Sequence, residues 1–344
     1  MRFLKTLGVL SLLCFLHPAW TPGVQASQRV NIIFDTDMGN DVDDVIAHDM
    51  LLKYHEAKKI NLMAVMGSRD AQSCCEFIDM YNTWFGFPNI PIGKVINGSN
   101  PTPESKSYAY KTLNLKENGK LVYKTTHKDP KNFPNAVDLY RKLLAKAPNK
   151  SVVIIAVGFS SNLSRLMETT ADEYSPLTGM ELLKRKVSYI SIMAGNFLPN
   201  AKPEYNVWND VTAAQKLFTQ SPVPLAFSPF DLGKKILYPG SSVQKDFEWT
   251  KNHPLKVAYS LYHKMPYDRP TWDPTSVLFA LEPNSGFFGL SERGNVSVDE
   301  KGATTFTPDS KGNCRYLTVT PEQQKRIKEY FIKLVTRQPK NYKK

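Results

Sequence analysis

The feature that most constrains this chain is a set of short, almost unbroken apolar runs separated by helical patterns. Ser151-Val-Val-Ile-Ile-Ala-Val157 is the plainest: it is too short for a helix of its own, has no polar residue at every second position, and ends at the Gly158-Phe-Ser-Ser turn. A strand without polar alternation is buried on both faces, which is the condition of a parallel sheet covered by helices. Val30–Phe34, Ile60–Met66, Val187–Met193 and Pro224–Ser228 read the same way. The intervening patterns predict helices over Asp43–Lys58, Ser73–Phe85, Asn135–Ala147, a short stretch from Asn162, and Trp208–Thr219. Strand-helix-strand alternation predicts an α/β fold with a Rossmann-like, mostly parallel central sheet flanked by helices. Beyond residue 285 the pattern predicts a hairpin, about 296–306 with 316–319, and a terminal helix over Pro321–Thr336. Residues 97–134 are polar and rich in Pro, Lys and Tyr, and are expected to form a lid or surface flap. With no internal repeat and no linker composition, one domain is expected.

The N-terminal segment stands apart from that domain. Arg2 and Lys5 precede the apolar stretch Leu7–Leu16, followed by Pro18, Pro22 and Val24-Gln25-Ala26. That order of charge, apolar core and small residues is the pattern of a secretory signal peptide. Cleavage after Ala26 would leave residues 27–344 as a secreted or periplasmic protein. The apolar run is about half the roughly 20 residues needed to span a bilayer, so no stable membrane anchor is expected. Cys74, Cys75 and Cys314 then remain, which permits at most one long-range disulfide because sequence neighbours rarely pair. The formal charge of +12 comes from scattered lysines without an arginine–aromatic stripe or a finger motif, which argues against a nucleic-acid partner.

Chemistry is concentrated directly after the first strand, in Asp35-Thr-Asp37-Met-Gly-Asn-Asp41-Val-Asp43-Asp44. Five carboxylates in ten residues, at the edge of a parallel sheet where such folds bind ligands, repel one another unless a cation sits among them. Oxygen donors with no His or Cys nearby point to Ca²⁺ or Mg²⁺. Asp41 or Asp43 could also cap the following helix. An apolar strand leading into Asp-x-Asp also opens haloacid-dehalogenase-type phosphatases, but those carry Thr or Val where Gly39 stands.

The turn resembles the opening motif of the inosine-uridine-preferring nucleoside hydrolase family, Asp-x-Asp-x-Gly-x-Asp-Asp, with two additional residues before the final pair, as in a secreted branch of that family. Four further stretches are similar in the same order: Val157-Gly-Phe-Ser-Ser-Asn162, Met193-Ala-Gly-Asn196, Glu204-Tyr-Asn206-Val and Trp272-Asp273-Pro. The resemblance implies a calcium-dependent nucleoside hydrolase fold and activity. It implies Ca²⁺ bound by Asp37, Asp44, Asp273 and the Val157 carbonyl, with Asp37 taking the proton of the attacking water. It places Asn206, Glu204, Asn196 and Asn200 at the sugar, together with either Asp43 or Asp41. Trp272 stands where part of the family has a His general acid, which implies a purine stacked on the indole. Tyr267 and Arg269 are candidates for the base pocket, and Ser68 occupies a place where many relatives carry Asn. The implied substrate is a ribonucleoside, the products a free base and ribose, and the assembly a homo-oligomer. A secreted calcium-dependent nucleoside- or sugar-binding protein without turnover is the alternative on the same scaffold.

Overall fold

The computed structural model describes residues 29–129, 132–340 and 342, so the leader expected over 1–26 lies outside them. Six strands come first: β1 Val30–Thr36, β2 Ile60–Gly67, β3 Ile92–Lys94, β4 Val152–Ala156, β5 Val187–Met193 and β6 Leu225–Ser228. Near the C-terminus follow β7 Gly294–Val298, β8 Thr304–Pro308 and β9 Cys314–Thr318. In space the order is β8-β7-β9-β6-β5-β4-β1-β2-β3, and a two-residue strand, Gly289–Leu290, also pairs with β9. All neighbours from β3 to β9 are parallel, while β7 and β8 form an antiparallel hairpin at one edge. The sheet is therefore the expected Rossmann-like one. Its order reverses at β1, which pairs with β2 on one side and β4 on the other. At such a reversal the loops after the two strands leave in opposite directions and open a crevice.

Burial explains the unbroken apolar runs. Ile32, Ile33 and Phe34 are fully buried, and so is every residue of β4, because helices cover both faces. The Asp43–Glu56 helix is buried around its whole circumference from Asp43 to Tyr54, not along one stripe. Its interior charges are tolerable because they are paired. Lys53 Nζ lies 2.7 Å from Asp49, Tyr81 Oη donates to Asp49 at 3.1 Å, and Lys53 also donates to the Val335 carbonyl at the end of the Pro321–Val335 helix. The Trp272–Leu281 helix, buried from Asp273 to Ala280, was not legible as a helix because its polar residues, Asp273, Thr275 and Ser276, are buried with its apolar ones and leave no 3.6-residue period. Among the described residues no helix is long and apolar enough to cross a membrane.

Some expected elements change. The helix expected over Trp208–Thr219 is two helices, Tyr205–Trp208 and Val211–Gln220, interrupted where Asp210 takes φ −150° and accepts a 2.7 Å bond from Ser161 Oγ. Only part of the stretch read as a lid or surface flap is packed into the body. Its Tyr108–Leu113 helix, capped by Ser107, buries Tyr108, Ala109 and Thr112 and lies against the Gln72–Phe85 and Pro254–Tyr262 helices. A few apolar anchors suffice for that, and a polar average conceals them. Cys74, Cys75 and Cys314 are buried free thiols, so no disulfide joins them.

Candidate active site

A cavity of about 370 Å³ opens at the C-terminal ends of β1, β4, β5 and β6, at the crevice made by the strand reversal. Its floor is acidic. Asp43, Asp44 and Asp273 are 5% exposed or less, and each offers an oxygen within 4.8 Å of the others. Asp43 and Asp44 open one helix and Asp273 the Trp272–Leu281 helix, so two helix N-termini converge here. Partial positive charge at those termini favours the carboxylates. The Asp273 N–H donates to Asp43 Oδ2 at 3.0 Å, and Thr36 Oγ1 donates to Asp44 Oδ1. Asp44 Oδ2 is buried without a hydrogen-bond partner. Burial first, and then mutual repulsion, hold the Asp44 and Asp273 carboxyls well above the usual carboxylate range, and burial does the same to Asp43. A buried all-oxygen set with an orphaned oxygen fits a hard divalent cation, whose charge would offset the desolvation of three carboxylates.

Above that floor lies the turn. Asp37 lines the cavity, its carboxylate accepting from Asn40 Nδ2 at 2.7 Å, and burial pushes its pKa up to about 6. The Val157 carbonyl, one residue past β4, accepts from Asn206 Nδ2 at 2.8 Å. Glu204 caps the short Tyr205–Trp208 helix, accepting from the N–H groups of Asn206 and Val207 at 2.9 and 3.3 Å, and burial pushes it up to about 7. Asp35, first of the acidic run, does not line the cavity. It accepts from Tyr140 Oη at 2.9 Å and from Asn162 Nδ2, tying β1 to the helices beneath it.

The two neighbouring acids of the turn part company. Asp43 turns into the floor, while Asp41 stays half-buried and pairs with Arg269 through both carboxylate oxygens, Nε lying 2.9 Å from Oδ1. Arg269 in turn lies over the rings of Tyr262 and Trp272, at 5.1 and 5.2 Å from their centroids. Trp272 stacks on Phe230 at 5.3 Å and 20°, and its indole N–H donates to the Phe230 carbonyl at 2.9 Å. Gly233 lies so close that a Cβ there would be 2.4 Å from Trp272 Cδ1. These groups form an aromatic and cationic wall of the same cavity.

Of the residues singled out in the sequence, Asp37, Asp41, Asp43, Asp44, Val157, Glu204, Asn206, Arg269, Trp272 and Asp273 line this cavity. Asn196, Asn200 and Tyr267 do not. Asn196 bonds Thr304 and the Lys202 carbonyl, Asn200 is exposed in a turn at φ 56°, and Tyr267 stacks on Tyr259 while donating to its carbonyl at 2.9 Å. Ser68 is buried outside the cavity, accepting from the Phe159 N–H at 3.2 Å. Asn40, Thr102, Met193, Tyr205, Phe230 and Tyr262 also line it. Tyr205 and Met193 stand inside quoted motifs, and Phe230 directly follows β6, but Thr102 and Tyr262 carry no local signal.

Acids gathered at the switch point of a parallel sheet, in a cavity that aromatic residues also line, define an α/β protein with a small-ligand pocket and a carboxylate set that could bind a metal ion. The model of the inosine-uridine preferring nucleoside hydrolases matches residues 32–331, and the chain belongs to that metal-dependent family of N-glycosidases. The phosphatase alternative is thereby set aside. A plant nucleoside hydrolase, PpNRh1, superposes with a TM-score of 0.70 at 18% identity, covering 90% of this chain and 99% of that one. A purine-preferring ribonucleoside hydrolase from Gardnerella vaginalis gives 0.70 at 18%, covering 89% and 98%. An inosine-uridine preferring hydrolase from Bacillus anthracis gives 0.65 at 16%, covering 89% and 99%. No curated protein matches by sequence.

Proposed function

We propose that this protein is a secreted, calcium-dependent ribonucleoside hydrolase that favours purine nucleosides, releasing free base and ribose. The observation that carries the reading is the buried carboxylate floor with its orphaned Asp44 oxygen, in a cavity also lined by an aromatic wall. Asp37, Asp44, Asp273 and the Val157 carbonyl would hold the ion, with Asp43 beside them. Bound there, Ca²⁺ supplies positive charge that makes a nearby water more acidic and orders ribose hydroxyls. Asp37 takes the proton from the water that attacks the anomeric carbon. Asn206, Glu204 and Asp43 bind hydroxyls of the sugar and fix its approach. The buried carboxylates also favour the oxocarbenium character that develops at C1′.

At the other end of the substrate, an indole cannot donate a proton to a leaving base at neutral pH. The Phe230, Trp272, Tyr262 and Arg269 wall instead binds the flat face of a purine and favours its departure after protonation by solvent. The neighbour from Gardnerella, described as purine-preferring, is consistent with that choice. The leader over 1–26 supports export, and a homo-oligomer is expected.

The test is release of reducing sugar from inosine, adenosine, guanosine and uridine, with calcium and then with EDTA. Purine turnover that both EDTA and Asp37→Asn abolish supports the proposal. Uridine turnover exceeding that of every purine overturns the purine assignment. No turnover by folded, calcium-bound protein overturns the hydrolase reading in favour of a binding protein.

A further inference from the structure

We infer that Ser107 and Tyr108, backed by Arg69, are positioning residues that hold the acidic turn in its working shape by gripping both backbone polar groups of Gly39. The inference rests on the reading of Asp37 as the proton acceptor. All three side chains come from outside the turn, and each is 1% exposed. Gly39 sits at φ +106°, its N–H donating to Tyr108 Oη at 3.0 Å and its carbonyl accepting from Ser107 Oγ at 2.9 Å.

The direction of the Ser107 bond follows from its hydrogen-bonding capacity. A serine hydroxyl has one proton and two lone pairs. Both lone pairs are occupied, by Arg69 Nη1 and by the Ala109 N–H, each at 3.2 Å, so the proton is left for the Gly39 carbonyl. Arg69 is itself immobilised, with Nε on Asn100 at 3.0 Å and Nη2 on the Thr102 carbonyl at 2.7 Å. Tyr108 spends its own proton on Met38 Sδ at 3.2 Å, which leaves its oxygen free to accept from Gly39.

The grip admits only glycine. A Cβ at position 39 would lie 2.4 Å from Arg69 Nη1 and 2.7 Å from Ser107 Oγ, besides straining a positive φ. The next residue closes the turn onto Asp37: the Asn40 N–H reaches the Asp37 carbonyl at 3.3 Å and its side chain the Asp37 carboxylate at 2.7 Å. Displacement of Gly39 therefore displaces the Asp37 carboxylate. The polar stretch over 97–134 thus works as a brace for the turn.

Ser107→Ala and Tyr108→Phe each delete one oxygen and little volume. Tyr81→Phe, which deletes a buried hydroxyl bonded to Asp49 far along the chain from the turn, is the control for general loss of stability. Measured on inosine, both brace variants are expected to lose about tenfold or more in kcat with KM within about threefold, since an Å-scale shift at a reacting group acts on the transition state. Tyr81→Phe should lower Tm and leave kcat unchanged. Calcium titration by calorimetry without substrate should show weaker binding in both brace variants and not in Tyr81→Phe. That second readout still tests the brace if the wild type turns over no nucleoside. Brace variants that lose Tm while keeping wild-type kcat and calcium affinity, as the control does, would overturn the inference.

Discussion

The floor and the wall of the cavity differ in burial and in what holds them. Asp43, Asp44 and Asp273 are buried, start two packed helices, and are held by backbone and by one another. Trp272, Phe230, Tyr262 and Arg269 are half-buried and rest on ring contacts, an ion pair to Asp41, and hydrogen bonds from Trp272 to the Phe230 carbonyl and from Arg269 to Tyr262 Oη. Adjacent residues show the contrast most directly: Trp272 belongs to the wall and Asp273 to the floor. The function of a buried carboxylate set tolerates no change because nothing nearby can replace a lost ligand. A half-exposed aromatic wall can adapt, so its residues tune affinity more than they decide whether chemistry occurs.

The sharpest test of that contrast is Asp44→Asn. It should remove turnover by about 10³-fold or more, and calcium binding measured by calorimetry with it. In EDTA the same variant should unfold at a higher temperature than wild type, because it relieves a crowded set of acids. Next in size is metal removal: calcium at about 100 times its Kd should stabilise the wild type by about 2.7 kcal/mol over EDTA, read as a rise in Tm, and Asp44→Asn should lose that rise. On the wall, Trp272→Ala should cost purine kcat/KM about tenfold, in line with about 1–3 kcal/mol per stacked base, with a smaller loss for uridine. A comparable loss for both bases would break the distinction between wall and floor. Gly233→Ala, which drives a methyl into the indole, should reproduce the same bias more weakly.

A separate effect, on stability alone, concerns the foundation of the floor. His48 lies one turn beyond Asp44 on the same helix, buried between Phe34 and Tyr81, and burial lowers its pKa from 6.5 to about 3. Between those values the unfolded chain binds a proton that the folded one refuses. Stability from this group is therefore complete above pH 6.5 and is lost as pH falls toward 3, at about 1.4 kcal/mol per pH unit. His48→Leu should flatten the acid side of the stability profile by that slope, measured by urea unfolding between pH 4 and 6.5.

Much of the architecture was legible because it rests on local rules. Continuous apolar runs imply buried parallel strands, and an acidic turn after the first of them implies a cation site at the sheet edge. What escaped depended on contacts between distant segments. Tyr262 reaches the cavity from the end of the Pro254–Tyr262 helix and Thr102 from a loop, neither marked by a local motif, whereas Tyr267, five residues from Tyr262, turns away to stack on Tyr259. The excursion over 97–134 looked loose because a few buried residues, Ser107, Tyr108, Ala109, Thr112, Tyr123 and Phe133, were averaged with their polar neighbours.

By itself the sequence determined the sheet class, the single domain, the acid-rich turn and the Trp272-Asp273 pair, since apolar period and carboxylate density are properties of neighbouring residues. Only the tertiary structure decided which acid of the turn joins the floor and which meets Arg269. Asp41 and Asp43 are chemically identical and two residues apart, and their environments differ because the helix that begins at Asp43 carries its carboxylate inward against Asp273 while Asp41 remains in the turn facing Arg269.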